Sequence, residues 1–387
     1  MGAPIEKKSI ALLILGLAIA LGLAEVALRL LGIQFDASLY GDDPITGWRL
    51  RANASGWWVS EGRAYVRLNS VGMHDREYSV DKPANTVRIA VLGDSVTAAV
   101  QVDVEQTFTR VLERALSVCD AYRGKRVEVM NFGVPGFGTA QELLTFRHRA
   151  LPYHPDSVIL AFFTYNDIQN NHRALNPVDA SKSPYFVLRG DELVLDDSFR
   201  ATQRRQIYGR LRDAFGDLAN RSRAAQLVAE VVMRRMVFRR AKREEAATLA
   251  ARFGENPDDL IYGPPDVPEM QEAWRITEAL ILALFNEARG HDVKFWLVTL
   301  SQSPQHLPPA LREEAVARRR IKDLFYPDRR LEAFARRHGI PALVLAPRFA
   351  EYAARHPEPL TFGQGHYNEH GHRLVGQALG ERLCAGP

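Results

Sequence analysis

Cysteine is nearly absent: Cys119 and Cys384 are the only two in 387 residues. Two thiols make neither a disulfide framework nor a CxxC zinc pair, so small disulfide scaffolds and zinc modules are excluded and the redox compartment stays unread. The default expectation is two unpaired buried thiols, with pairing as the alternative. No HExxH order occurs, which removes the usual helical zinc-hydrolase pattern. Nothing calls for a cofactor, and none is expected. Charge has little overall bias, at +4 net with 25% charged and 46% hydrophobic residues. Those proportions are ordinary for a globular protein with a core. The length accommodates one large α/β domain with insertions, or two smaller domains.

Long hydrophobic runs are also scarce, with one exception. Lys7 and Lys8 precede the uncharged residues 9–24, and apolar helical character runs on to Leu31. About 20 residues span a bilayer core, so residues 9–31 suffice if Glu25 and Arg29 lie near the far interface. Ala18-Ile19-Ala20 has the small-x-small form of a cleavage site. The apolar helix continues past it, which favours an uncleaved single-pass anchor within residues 1–32. Lysines on the amino side predict a cytoplasmic N-terminus and a periplasmic or extracellular catalytic domain. Residues 33–86 are polar, aromatic and turn-rich, and read as a lead-in of short strands. Trp48, Trp57 and Trp58 in that stretch suit packing or the membrane interface better than a sugar-stacking platform.

From residue 87 the pattern alternates. Residues 87–92 form a β-branched, strand-length run cut off by Gly93-Asp94-Ser95, and a helical face follows at Phe108, Val111, Leu112, Ala115 and Leu116. Further strands are predicted at 127–132, 157–164, 293–300 and 340–346, with helices between them. That order implies a three-layer α/β sandwich around a parallel sheet of about five strands. The domain covers 87–387 and is interrupted by a helical excursion at about 172–267. Within 200–243, thirteen Lys or Arg stand against three Asp or Glu, a net of +10, interleaved with Leu227, Val228, Val231, Val232 and Met236. Two readings stay open: a basic amphipathic helix on anionic lipid or glycan, and a solvated helix packed on the core. Nucleic acid is not expected beside a membrane anchor.

In a parallel sheet the carboxyl strand ends share one edge, where ligands collect. Ser95 follows the first strand, Gly136 the second and Asn166 the third, while His366 precedes the last helix. These are the parts of an acyl-transfer site: a hydroxyl nucleophile, an imidazole base and oxyanion donors. The order resembles the SGNH (GDSL) hydrolase superfamily. Gly93-Asp94-Ser95 is similar to its first block and Asn131-x-Gly133-x-x-Gly136 to its second. Tyr165-Asn166-Asp167 is similar to the third, and His366-x-Asn368-x-x-Gly371-His372 to the last. The resemblance implies a flavodoxin-like core, Ser95 as nucleophile, His366 as base, and an oxyanion hole from the Ser95 and Gly136 N–H groups and the Asn166 side chain. It implies a serine esterase acting on an acyl ester, O-acetyl among the candidates, carried by a carbohydrate or lipid.

Two departures matter. Thr164 stands where the family usually has glycine, and the aspartate expected two or three residues before the histidine is replaced by Gly363 and Gln364. The Gln364 amide oxygen is one candidate for orienting the imidazole, and a backbone carbonyl is the other. The missing acid keeps a catalytically weak binding or scaffold protein in view, as the shared chemistry does an O-acyltransferase. His366, His370, His372 and Glu369 also invite a metal reading, but the histidine block accounts for them and no metal site is expected.

Overall fold

The computed structural model describes residues 7–177, 179–201, 215–231, 239–253 and 257–385. A helix over Lys7–Leu30 comes first, and its stretch Ala11–Leu30 is long and apolar enough to cross a membrane. Two antiparallel hairpins follow, β1 (Tyr40–Asp43) with β2 (Gly47–Leu50) and β3 (Ser55–Trp58) with β4 (Ala64–Arg67).

The central sheet then begins with β5 (Thr86–Gly93), β6 (Arg126–Asn131) and β7 (Ser157–Phe163). A third hairpin, β8 (Tyr185–Arg189) with β9 (Glu192–Asp196), interrupts it, and β10 (Lys294–Leu300) and β11 (Ala342–Val344) complete it. The sheet order is β11-β10-β7-β5-β6, parallel at every pairing. This is the expected three-layer α/β architecture. The order reverses at β5, which pairs with both β6 and β7, so the crevice outside the carboxyl ends of β5 and β7 is the topological switch point.

Alternation along the strands builds two cores. Ala90 and Leu92 face a layer with helices Thr139–Thr145, Pro268–Gly290 and Tyr326–His338. Ile89 and Val91 face Phe108–Ser117, Ala346–Arg355 and Glu369–Cys384. A third cluster joins the lead-in to the catalytic side. Ala37, Leu39, Leu50, Ala54, Val66 and Leu68 pack against Ala98, Val100, Val134 and Phe137.

Two expectations are corrected. Cys119 and Cys384 are bonded, not free, and each is half-buried. The helices Phe108–Ser117 and Glu369–Cys384 lie side by side and bring the two Cα atoms to 5.9 Å, within bridging range. The excursion is not purely helical either, because it opens with the β8–β9 hairpin, whose turn uses Gly190 at φ +64°. Of the basic stretch, residues 202–214 and 232–238 lie outside the described residues. Its described part docks on the amino-terminal helix: Glu25 accepts from Ser222 Oγ (3.0 Å) and the Ala224 N–H (2.9 Å), and Arg29 donates to the Arg221 carbonyl (2.9 Å).

Candidate active site

The turn after β5 is held by its own residues. Asp94 caps the short helix Ser95–Ala98 by accepting the Val96 N–H at 2.9 Å, the usual way to satisfy a free helical donor. Asn131 at the end of β6 ties this turn to the next strand. Its Nδ2 donates to the Thr97 carbonyl (2.8 Å), and its Oδ1 accepts the Gly133 N–H (2.9 Å). A Cβ on Gly133 would lie 2.4 Å from the Ala98 nitrogen. The close approach of the two loops therefore requires glycine there.

The loop before the last helix is equally constrained. Tyr367 bridges to Thr361 and donates its hydroxyl to the Ser301 carbonyl. Asn368 Oδ1 accepts the His370 and Gly371 N–H groups. This fixes His366 with Nε2 at 2.9 Å from Ser95 Oγ, so the predicted nucleophile and base meet across 271 residues.

The other imidazole nitrogen, Nδ1, bonds the carboxylate of Glu61, a residue of the lead-in that sequence reasoning did not single out. Gln364 is not its partner, which corrects the expected orienter. The Gln364 side-chain amide donates to the Ser60 carbonyl at 2.8 Å, and its backbone N–H donates to Glu61 Oε1 at 2.7 Å. Only 5% of the Glu61 side chain is exposed. Burial pushes the Glu61 carboxyl up, but the bonds from His366 and from the Gln364 and His366 N–H groups outweigh it and hold the group below the ordinary glutamate range.

Gly136 and Asn166 line one cleft of about 740 Å³ together with Tyr165, Gln169, Asn170, Asn176 and others. Gly136 sits at φ +82°, a left-handed conformation that suits glycine. Trp48 of β2 covers it and donates Nε1–H to the Pro135 carbonyl at 2.9 Å. This tryptophan is therefore a packing residue of the site. Asn166 follows β7, and its side chain favours the charged form of Asp94 at the end of β5.

Beneath these loops lie three buried carboxyls, Asp94, Glu142 and Asp167. Burial, together with the neighbouring carboxyls, raises Glu142 and Asp167 well above their ordinary values. Burial also raises Asp94 despite its hydrogen bonds. Both Glu142 oxygens lack a hydrogen-bond partner among the described residues, as suits a protonated acid. The candidate metal histidines diverge. His366 faces Ser95, His370 faces Arg373, and His372 is buried against Phe108.

No family model and no curated relative matches the chain. Several solved structures are similar to it. An acetyl xylan esterase, AlAXEase, shares 12% identity over 77% of this chain and 100% of its own, with TM-score 0.41. A lipase/acylhydrolase from Enterococcus faecalis shares 12% over 77% and 96%, with TM-score 0.38. A GDSL-like lipase from Bacteroides thetaiotaomicron shares 13% over 77% and 87%, with TM-score 0.33.

Proposed function

We propose that this chain is a membrane-tethered serine ester hydrolase of SGNH type. The observation that carries the reading is the 2.9 Å bond between Ser95 Oγ and His366 Nε2 at the switch point of the sheet. His366 takes the hydroxyl proton as Oγ attacks the ester carbonyl, and the tetrahedral oxyanion forms beside the Ser95 N–H, Gly136 N–H and Asn166 amide. Each such donor contributes about 10²–10³ in rate. His366 returns the proton to the leaving alcohol, and the acyl-enzyme is then hydrolysed with His366 as base.

The cleft beside Gly136 and Asn166 favours a short acyl group on a polar, hydroxylated carrier. Its walls include Gln169, Asn170, Asn176 and Asp258 rather than a continuous apolar tunnel. In this reading residues 9–31 are the tether, and Lys7 and Lys8 on its amino side favour a cytoplasmic N-terminus with the site on the far side of the membrane. The Cys119–Cys384 bond supports that side, since such bonds persist in oxidising compartments.

Purified full-length protein is expected to release acid from acetyl esters faster than from long-chain esters, and Ser95→Ala to abolish release. Protease added to spheroplasts should digest the domain. A wild-type protein inert across a broad ester panel would overturn the hydrolase reading, and full protection would overturn the topology.

A further inference from the structure

We infer that Glu61 is the positioning acid of the Ser95–His366 pair, which makes the segment 33–86 a working part of the active site. This rests on the serine-hydrolase reading above.

The loop preceding the histidine carries no acid: Gly363 has no side chain, and Gln364 turns its amide to Ser60. Glu61 fills the vacancy from the opposite side, 305 residues away in sequence. Its Oε1 accepts the backbone N–H groups of Gln364 (2.7 Å) and His366 (3.3 Å), leaving Oε2 for His366 Nδ1. One carboxylate thus fixes both the backbone of the histidine loop and the ring it carries.

The β3–β4 turn that bears Glu61 is wedged in place. Gly62 stands at φ +65°, and a Cβ there would lie 2.4 Å from the Gln101 carbonyl oxygen and 3.0 Å from the Phe362 ring. Gln101 follows the nucleophile turn and Phe362 belongs to the histidine loop, so the hairpin tip sits between the two halves of the catalytic pair. Behind it Val66 and Leu68 pack against Ala98 and Val100.

The chemistry follows from what a carboxylate can do. It accepts hydrogen bonds only, so Nδ1 must carry the ring proton and Nε2 keeps its lone pair toward Ser95 Oγ. When Nε2 takes the hydroxyl proton, the imidazolium forms against a fixed buried negative charge. An amide in the same place presents an N–H₂ group and favours the opposite tautomer, which directs a proton at the nucleophile. In the serine-protease triad that exchange costs about 10⁴ in kcat.

The test compares Glu61→Gln and Glu61→Asp in the full-length chain, with folding checked by circular dichroism. A positioning role predicts that Glu61→Gln lowers kcat by about 10⁴ with KM within about threefold, while Glu61→Asp retains at least ten times more kcat than the glutamine variant. A structural role predicts the reverse order, because glutamine keeps the volume and the acceptor for the two backbone N–H groups whereas aspartate is shorter. Glutamine at or above aspartate, or within tenfold of wild type, would overturn the inference. Should Glu61→Gln not fold, ¹⁵N spectra of histidine-labelled wild type still decide. The proposal requires His366 to carry its proton on Nδ1, and the Nε2–H tautomer would refute it. Undiminished fluorophosphonate labelling of Ser95→Ala is a separate outcome, which removes the serine-hydrolase reading itself.

Discussion

Replacing Arg88 with methionine should destabilise the protein by leaving the buried Glu128 carboxylate with only the exposed Arg126, 3.0 Å from its Oε1, as an ionic partner. Arg88 on β5 is fully buried beside Glu128 on β6, which is 2% exposed, and its Nε donates to Glu128 Oε2 at 2.8 Å. The rest of the guanidinium donates to the carbonyls of Val80 (2.9 Å), Tyr153 (2.8 Å) and Ser79 (2.7 Å). It therefore fastens the end of the lead-in to the amino edge of the sheet. Removing one member of a buried pair costs about 3–5 kcal/mol. At roughly 2 °C per kcal/mol, the lower end of the scale because the domain is large, Tm should fall by about 6–10 °C. The assay is thermal melting of the detergent-solubilised chain by circular dichroism, run on wild type, Arg88→Met and Arg88→Met/Glu128→Leu. The double variant should lose less than the single, because it removes, along with the cation, a buried carboxylate that would keep only the exposed Arg126 as partner. A drop under about 2 °C for the single variant, or a larger drop for the double, would refute this account.

Gly133→Ala should cost about 1–3 kcal/mol by forcing a methyl against the Ala98 nitrogen. It should also slow ester hydrolysis about 100-fold by displacing the nucleophile turn; unchanged kcat/KM would show that the turn tolerates the shift. Glu142→Gln should stabilise the protein at neutral pH. The Glu142 carboxyl is raised in the folded state, so its favourable contribution is full below the unfolded value and is lost as pH rises through the folded one. The Tm gap between variant and wild type should be near zero at about pH 4 and widen toward pH 8; a gap that narrows with pH would contradict the assignment.

The sheet was legible because its central strands are short, largely apolar runs buried on both faces, and Ser157–Phe163 has no polar residue after its first. The approach of His366 to Ser95 and the shared cleft of Gly136 and Asn166 were legible because the loops at the carboxyl ends of a parallel sheet gather along one edge. Glu61 was not. Its pairing with His366 depends on a hairpin folding back across the catalytic loops, and no periodicity marks a contact 305 residues long. The sequence did show the gap it fills, at Gly363 and Gln364. The Cys119–Cys384 bond was hidden for the same reason, since it spans 265 residues and follows from two helices packing side by side. The β8–β9 hairpin had a local signal, Gly190-Asp191 between two apolar strands, but it lies inside the excursion at about 172–267, which reads as helical from its basic stretch further on.

That Ser95 is an activated nucleophile is tested most directly by fluorophosphonate labelling of the full-length protein followed by peptide mass spectrometry. The account predicts one adduct, on Ser95, absent in Ser95→Ala and formed at least about 100-fold more slowly in His366→Ala, the lower range for a general base. An adduct on another residue, or undiminished labelling of either variant, would contradict it.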